Sequence, residues 1–255
     1  MLGAVAGDII GSRFEVIPTK SYEFDLFSSL NTFTDDSVLT LAIADAILSN
    51  TSYEIKLKEY GLAYPNAGYG PSFVKWIINE IQGPYNSFGN GSAMRVSPIG
   101  FAFDDRITVL NEAKKSAEVS HDHPEGIKGA QAVALAVFLA RQHTDKETIR
   151  EEISKTFDYD LDRTLEEIKP GYQFEISCQK SVPESIIAFL ESSDYEDAIR
   201  KSISLGGDSD TMACITGAIA QAYYKTIPKP IVEKVYSMIP EPFKKIIILF
   251  EKKFL

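Results

Sequence analysis

Two short stretches of the chain combine paired carboxylates with hydroxyls: Thr34-Asp35-Asp36-Ser37 and Asp208-Ser209-Asp210-Thr211. The first follows Phe33 at the end of a polar stretch, the second follows Gly206-Gly207, and each precedes a run with helical apolar spacing. Both are therefore predicted at helix starts, where the free N–H groups of the first turn and the macrodipole favour negative charge. One aspartate would satisfy a helix cap. Two acids with flanking hydroxyls, in two places, exceed that need. Hard divalent cations supply a reason, since Mg²⁺ takes oxygen ligands in near-octahedral geometry and keeps several waters. If Asp8 and Glu15 join these four aspartates, six carboxylates share a neighbourhood and push one another's pKa values up unless cations compensate them. The chemistry indicated is that of a metal-dependent hydrolase.

Two further constellations are less specific. Gly89-Asn90-Gly91-Ser92-Ala93-Met94-Arg95 is a glycine-rich turn followed by a basic residue, able to present backbone N–H groups to an anion or to serve as an ordinary loop. His121-Asp122-His123 stands before Pro124-Glu125, where the histidines could ligate a metal, contact a substrate or cap a helix. His-x-His without a further histidine is incomplete for a zinc site. His143 and the single Trp76 are assigned to ordinary structure, and Cys178 and Cys214 are too few for a disulfide framework.

The elements that must position these residues read as helices, because apolar spacings of three and four dominate. Val38, Leu39, Ala42, Ile43, Ala46 and Ile47 make one stripe; Ile127, Ala130, Ala134, Val137 and Phe138 make another after Pro124, a residue suited to a first helical turn. A third helix runs from Asp210 through Met212, Ile215, Ile219 and Tyr223 and stops before Pro228. Gly3, Gly7 and Gly11 recur every four residues, which puts three glycines on one helical face and lets another backbone approach. Asp8, Ser12 and Glu15 lie on a different face of that helix. Loops are predicted over residues 64–71, 83–91 and 169–177 from their Gly, Pro and Asn content.

At 255 residues and 44% hydrophobic content the chain suffices for one core, and a single domain over residues 1–255 is expected. Acidic residues outnumber basic ones by 36 to 26, a formal charge of -10, which leaves no positive field for nucleic acid as a bulk partner. The N-terminus lacks a basic region and its apolar run is cut by Asp8, so a cytoplasmic protein without a signal peptide is expected. No apolar stretch approaches the roughly 18 residues of a membrane helix. The closing segment, residues 243–253, is predicted as an amphipathic helix packed on the core.

Taken together, these residues resemble the ADP-ribosylglycohydrolase family, enzymes that remove ADP-ribose from modified proteins or related acceptors. The resemblance rests on Gly7-Asp8-Ile9-Ile10-Gly11-Ser12-Arg13-Phe14-Glu15, Thr34-Asp35-Asp36-Ser37, Gly89 through Arg95, His121 with the small-residue helix after it, and Gly206 through Thr211, in family order. Residues 144–204 carry none of these motifs. The resemblance implies an all-α fold, a single compact orthogonal helical domain of the ADP-ribosylglycohydrolase type. It also implies two Mg²⁺ ions, or Mn²⁺ in their place, held by Thr34, Asp35, Asp36, Asp208, Asp210 and Thr211. Glu15 is similar in position to an acidic residue that relatives place over the metals, and Asp36 is the second candidate for catalysis. Ser87, Phe88, Gly89, Asn90, Gly91 and His121 resemble the segments that hold the diphosphate and distal ribose, with Arg95 as a further diphosphate contact.

The reaction so implied is glycosidic cleavage at the anomeric carbon of the distal ribose, through an oxocarbenium-like state, by a monomer acting on ADP-ribose attached to a protein or other acceptor. Two alternatives differ in class. A catalytically silent ADP-ribose binder or structural relative would not need an intact set of aspartates. A metal phosphohydrolase of the His-Asp type would need a histidine upstream of His121, and none exists.

Overall fold

A computed structural model describes residues 1–255 as fifteen helices with no named strand. The first half contains α1 (Leu2–Val16), α2 (Asp35–Ser49), α3 (Tyr53–Ala63), α4 (Pro71–Ile77), α5 (Gly91–Met94), α6 (Ser97–Ala102), α7 (Arg106–Glu118) and α8 (Pro124–Arg141). The second contains α9 (Lys146–Phe157), α10 (Leu165–Ile168), α11 (Cys178–Leu190), α12 (Tyr195–Ile203), α13 (Ser209–Tyr224), α14 (Lys229–Met238) and α15 (Glu241–Phe254). The all-α expectation is borne out, and one apolar core runs from Met1 to Phe250. The 144–204 segment supplies four helices, α9 to α12, the last of which packs on α13.

The architecture is organised by the glycine face of α1. A Cβ on Gly3, Gly7 or Gly11 would strike the backbone of α13, at Gly217 O, Ala213 O and Ser209 O respectively. The partners descend as the glycines ascend, so the helices run antiparallel with their backbones in contact, a closeness only glycine permits. Tyr195 of α12 adds a hydroxyl donated to Gly3 O at 2.7 Å. The consequence for function is geometric: the C-terminal turn of α1, with Glu15, lies beside the N-terminus of α13.

Helix α2 crosses the same region. It is buried through most of its circumference, including Thr40, Leu41 and Ala44 as well as the predicted stripe up to Ala46, with Ile47 partly buried. A single-stripe reading underestimates it because α1, α3, α6, α13 and α15 enclose it. The predicted closing helix is α15, which buries Phe243, Ile247 and Phe250 and packs on α2. No helix is long and apolar enough to cross a membrane. Both cysteines are buried and unpaired.

Loops rather than strands complete the scaffold. The turn before α5 is clipped to the turn before α11 by Asn90 N–H donating to Ile176 O (2.8 Å) and Cys178 N–H donating to Phe88 O (2.9 Å). This antiparallel bridge of Gly89 with Ser177 fixes a segment that sequence periodicity leaves undetermined.

Candidate active site

The two acidic motifs, about 170 residues apart in sequence, meet at the converging N-termini of α2 and α13. Thr34 is the N-cap of α2 and accepts from Asp36 N–H at 3.3 Å. Asp208 stands at the N-cap position of α13 but makes no side-chain capping bond, so its carboxylate is not committed to the helix end. Asp8, near the middle of α1, ties the motifs to the seam. Its carboxylate accepts from Thr34 N–H (3.0 Å), Thr34 Oγ1 (2.7 Å), Ser37 N–H (3.1 Å) and the Ser37 hydroxyl. Asp36 Oδ2 accepts from Thr211 Oγ1 at 3.2 Å, a direct bond between the two motifs. Asn90 Nδ2 donates to Asp208 Oδ2 at 2.7 Å.

Carboxylate oxygens of Asp8, Asp36 and Asp210 lie within 4.8 Å of one another, as do those of Glu15, Asp208 and Asp210. Asp210 belongs to both groups. No lysine or arginine forms an ion pair with any of these residues or with Asp35. No basic counter-charge therefore offsets burial and mutual repulsion, and only hydrogen bonds pull the other way. Asp8 is pushed up to about 6 by burial, against the pull of its four donors. Burial and the charges of Asp8, Asp208 and Glu15 push Asp35 up to about 8. Asp36 and Asp210 are also raised well above the usual carboxylate range, again by burial first and neighbouring carboxylates second. Asp208 is also raised by burial, with hydrogen bonds from Asn90 and Thr211 pulling the other way. Glu15, exposed at the edge, is raised by desolvation and by Asp208.

Asp36 Oδ1 is buried and has no hydrogen-bond partner. An orphaned carboxylate oxygen inside a cluster of raised-pKa acids is an unusual cost, of order 1–3 kcal/mol or more for a charged group. The donor set, all carboxylate and hydroxyl oxygen, fits a hard divalent cation.

The cluster forms one wall of a cavity of about 330 Å³. Facing it are Ser87, Gly89, Asn90 and Gly91 from the bridged turn, together with Tyr85, His121 and Ile176. A third side comes from Ala67, Gly68, Gly70, Pro71, Ser72 and Phe73, the predicted 64–71 loop and the start of α4. Asp35 N–H donates to Ala67 O at 2.8 Å, and Gly68, with φ of 103°, turns the loop so that its Cα faces Asp35 Oδ1. The sequence signals a turn there but contains nothing that assigns it to the site. Tyr85 and Ile176 carry no local signal either, since their place depends on the bridge between two loops.

The sequence-predicted residues divide as follows. Glu15, Thr34, Asp35, Asp36, Asp208, Asp210, Thr211, Ser87, Gly89, Asn90, Gly91 and His121 all line the cavity. Phe88 does not: its ring is half exposed and packs edge-on to His123, 5.5 Å between centroids. Arg95 borders the cavity but is wholly buried, donating from Nη2 to Ser116 O (2.9 Å) and Ser120 Oγ (2.8 Å), so it stands behind His121 rather than beside it. His123 is the N-cap of α8, accepting from Glu125 N–H. Asp122 Oδ1 accepts from Asn86 N–H at 2.6 Å, which commits this carboxylate to the loop and away from the acidic cluster.

The chain is 26% identical to ADP-ribosylhydrolase ARH3 of Danio rerio, covering 88% of this chain and 81% of that one. It is 24% identical to the ADP-ribosylarginine hydrolase Tri1 of Pseudomonas putida, covering 92% and 72%. A solved structure described as an ADP-ribosylglycohydrolase-related protein complex superposes with a TM-score of 0.75 at 21% identity, over 100% of this chain and 96% of that one, and shares its fold. The family profile described as ADP-ribosylglycohydrolase matches residues 1–252, and the chain belongs to that family.

Proposed function

We propose that this protein is a divalent-cation-dependent hydrolase that releases ADP-ribose from an ADP-ribosylated protein or other acceptor by cleaving the bond at the distal ribose anomeric carbon. The observation that carries this reading is the buried acidic cluster with no basic counter-charge and an orphaned Asp36 Oδ1, opening on a cavity lined by a glycine-rich turn. Thr34, Asp35, Asp36, Asp208, Asp210 and Thr211 would hold Mg²⁺ or Mn²⁺. Because Asp210 is shared between two groups of close carboxylates, the cluster suits two adjoining ions. Bound there, the cations supply orientation of the ribose hydroxyls and acidification of a water molecule.

The protein's own residues supply the rest. Glu15 stands at the edge of the cluster with a raised pKa, which suits a group that takes a proton from water or gives one to the leaving acceptor. Asp36 is the second candidate for this exchange through its free Oδ1. Asn90 holds Asp208 in place from the opposite wall. Backbone N–H groups of the Gly89–Gly91 turn and the His121 ring offer donors to the diphosphate, so the cavity needs no cluster of basic side chains.

The test is a panel of arginine-, serine- and nucleobase-linked ADP-ribose substrates assayed with Mg²⁺, with Mn²⁺ and with excess chelator. Release of ADP-ribose from at least one substrate, abolished by chelator and by Asp35→Ala or Asp210→Ala in folded protein, supports the reading. Full activity in chelator overturns the metal role, and tight ADP-ribose binding without turnover on any linkage identifies a binder instead.

A further inference from the structure

Arg95 is among the largest fully buried side chains in the molecule, yet it forms no ion pair. Its Nη2 reaches Ser116 O and Ser120 Oγ; Nε and Nη1 have no partner. Ser120 Oγ lies 2.8 Å from His121 Nδ1, and both residues are buried. The opposite ring nitrogen, His121 Nε2, lies against the Gly89–Gly91 turn: a Cβ on Gly91 would come within 3.0 Å of it. It makes no hydrogen bond within the protein, and the ring lines the cavity.

The direction of these bonds follows from the donor inventory. A guanidinium only donates, so the 2.8 Å bond uses a lone pair of Ser120 Oγ and leaves its single proton to be given elsewhere. Two groups share that hydroxyl, His121 Nδ1 and the neutral phenol of Tyr85; with the phenol O–H donating to the second lone pair of Ser120 Oγ, Nδ1 is the acceptor left for the hydroxyl proton. A nitrogen that accepts cannot carry a proton, and the neutral ring's proton is then on Nε2. Burial and the nearby guanidinium also oppose a second proton on this ring. Tyr85, packed on His121 at 5.6 Å between centroids, faces the same hydroxyl; it is itself a phenol whose pKa burial pushes up to about 12, so it keeps its proton.

We infer that Arg95 and Ser120 are positioning residues that lock His121 as the neutral Nε2–H tautomer, presenting one fixed donor to an anionic or hydroxyl oxygen held against the Gly89–Gly91 turn. The buried cation thus acts on the cavity through a neutral ring instead of by direct contact. This inference concerns the cavity of the proposed hydrolase, but its first readout is on ligand-free protein and so is separate from turnover.

The experiment is a long-range proton–nitrogen correlation spectrum of protein labelled with ¹⁵N-histidine, the three histidines being assigned with His123→Asn and His143→Asn. From about pH 6 to about pH 8, across the ordinary histidine range, His121 is expected to remain neutral with its proton on Nε2. Ser120→Ala is expected to give a tautomer mixture, and Ser120→Thr, which keeps the hydroxyl, to restore the single form. In titrations with ADP-ribose itself, Ser120→Ala is expected to weaken binding about tenfold, in the range of lost outer-shell partners. A proton on Nδ1, an imidazolium in this range, or an unmixed wild-type tautomer in Ser120→Ala overturns the inference. If Ser120→Ala does not fold, the wild-type spectrum decides alone. Absence of any ADP-ribose binding would count against the hydrolase reading, while the tautomer would still decide this one.

Discussion

At the scale of single residues, position relative to the acidic cluster separates roles that residue type leaves merged. Glu15 differs from the four aspartates of the two motifs in being exposed while still sensing Asp208. Under the hydrolase reading Glu15→Gln should lower kcat by about 10²–10⁴-fold, the usual worth of a general acid–base group, while leaving Mg²⁺ affinity within a few-fold; measuring both by calorimetry and single-turnover kinetics separates the roles, and equal loss of both would make Glu15 a ligand. The aspartates carry a pH signature. Asp35, pushed up to about 8, is largely protonated at neutral pH in the cation-free protein, Asp36 and Asp210 are raised in the same direction, and Asp8, at about 6, is mostly ionised. Cation binding requires the ionised forms, so it should release protons at pH 7, and affinity should rise as pH increases from about 6 to about 8. Calorimetry in two buffers of different ionisation enthalpy reads the proton count directly. Binding that is independent of both buffer and pH would contradict the carboxylate ligand set.

At the scale of elements, the site is only as exact as the seam that carries it. Gly7 is the central contact of α1 with α13, its Cα facing the carbonyl of Ala213. Gly7→Ala must push the two backbones apart, and overpacking of this kind costs ~1–3 kcal/mol. It should lower the midpoint of thermal unfolding and weaken cation binding together, because Asp8 and Asp210 move apart with their helices; an unchanged midpoint would mean that the seam is looser than described. The four-residue glycine repeat made this seam legible from sequence, and the Thr34 and Asp208 motifs announced their own helix starts. The seam's partner was not legible, since nothing local in α13 pairs Ser209, Ala213 and Gly217 with particular residues of α1. Arg95 shows the same limit: a basic residue after a glycine-rich turn reads as an anion contact, and only the packing of α7 and α8 around it reveals that Ser116 and Ser120 take its donors. Tyr85 and Ile176 enter the site through the Gly89–Ser177 bridge, a contact between residues 88 positions apart that no periodicity encodes.

At the scale of the whole molecule, the cluster is a local debt in an otherwise well-packed chain. Carboxyl groups whose folded pKa is raised disfavour the folded state as pH climbs above their unfolded value, near 3.9 for aspartate, toward the folded one. Cations that bind only the folded state reverse this. At a hundredfold excess over Kd the gain is ~2.7 kcal/mol, which for a chain of this size raises the unfolding midpoint by roughly 5–10 °C. The rise should be larger at pH 8 than at pH 6, as scanning calorimetry with and without Mg²⁺ would reveal. Asp36→Asn should shrink it, and an equal rise in that variant would place the stabilising ion elsewhere.

The antiparallel pairing of α1 with α13 also sets an order of events at the ribosome. The first helix emerges with its glycine face bare, and its partner follows only after some 190 further residues. Domains are made from the N-terminus at roughly 5–20 residues per second, so α1 and the Thr34 motif wait on the order of ten seconds or more before Asp208 and Asp210 exist to meet them. A nascent chain lacking α13 therefore has half of the acidic cluster and none of the seam that holds it, so under the hydrolase reading cation uptake should mark a late stage of folding.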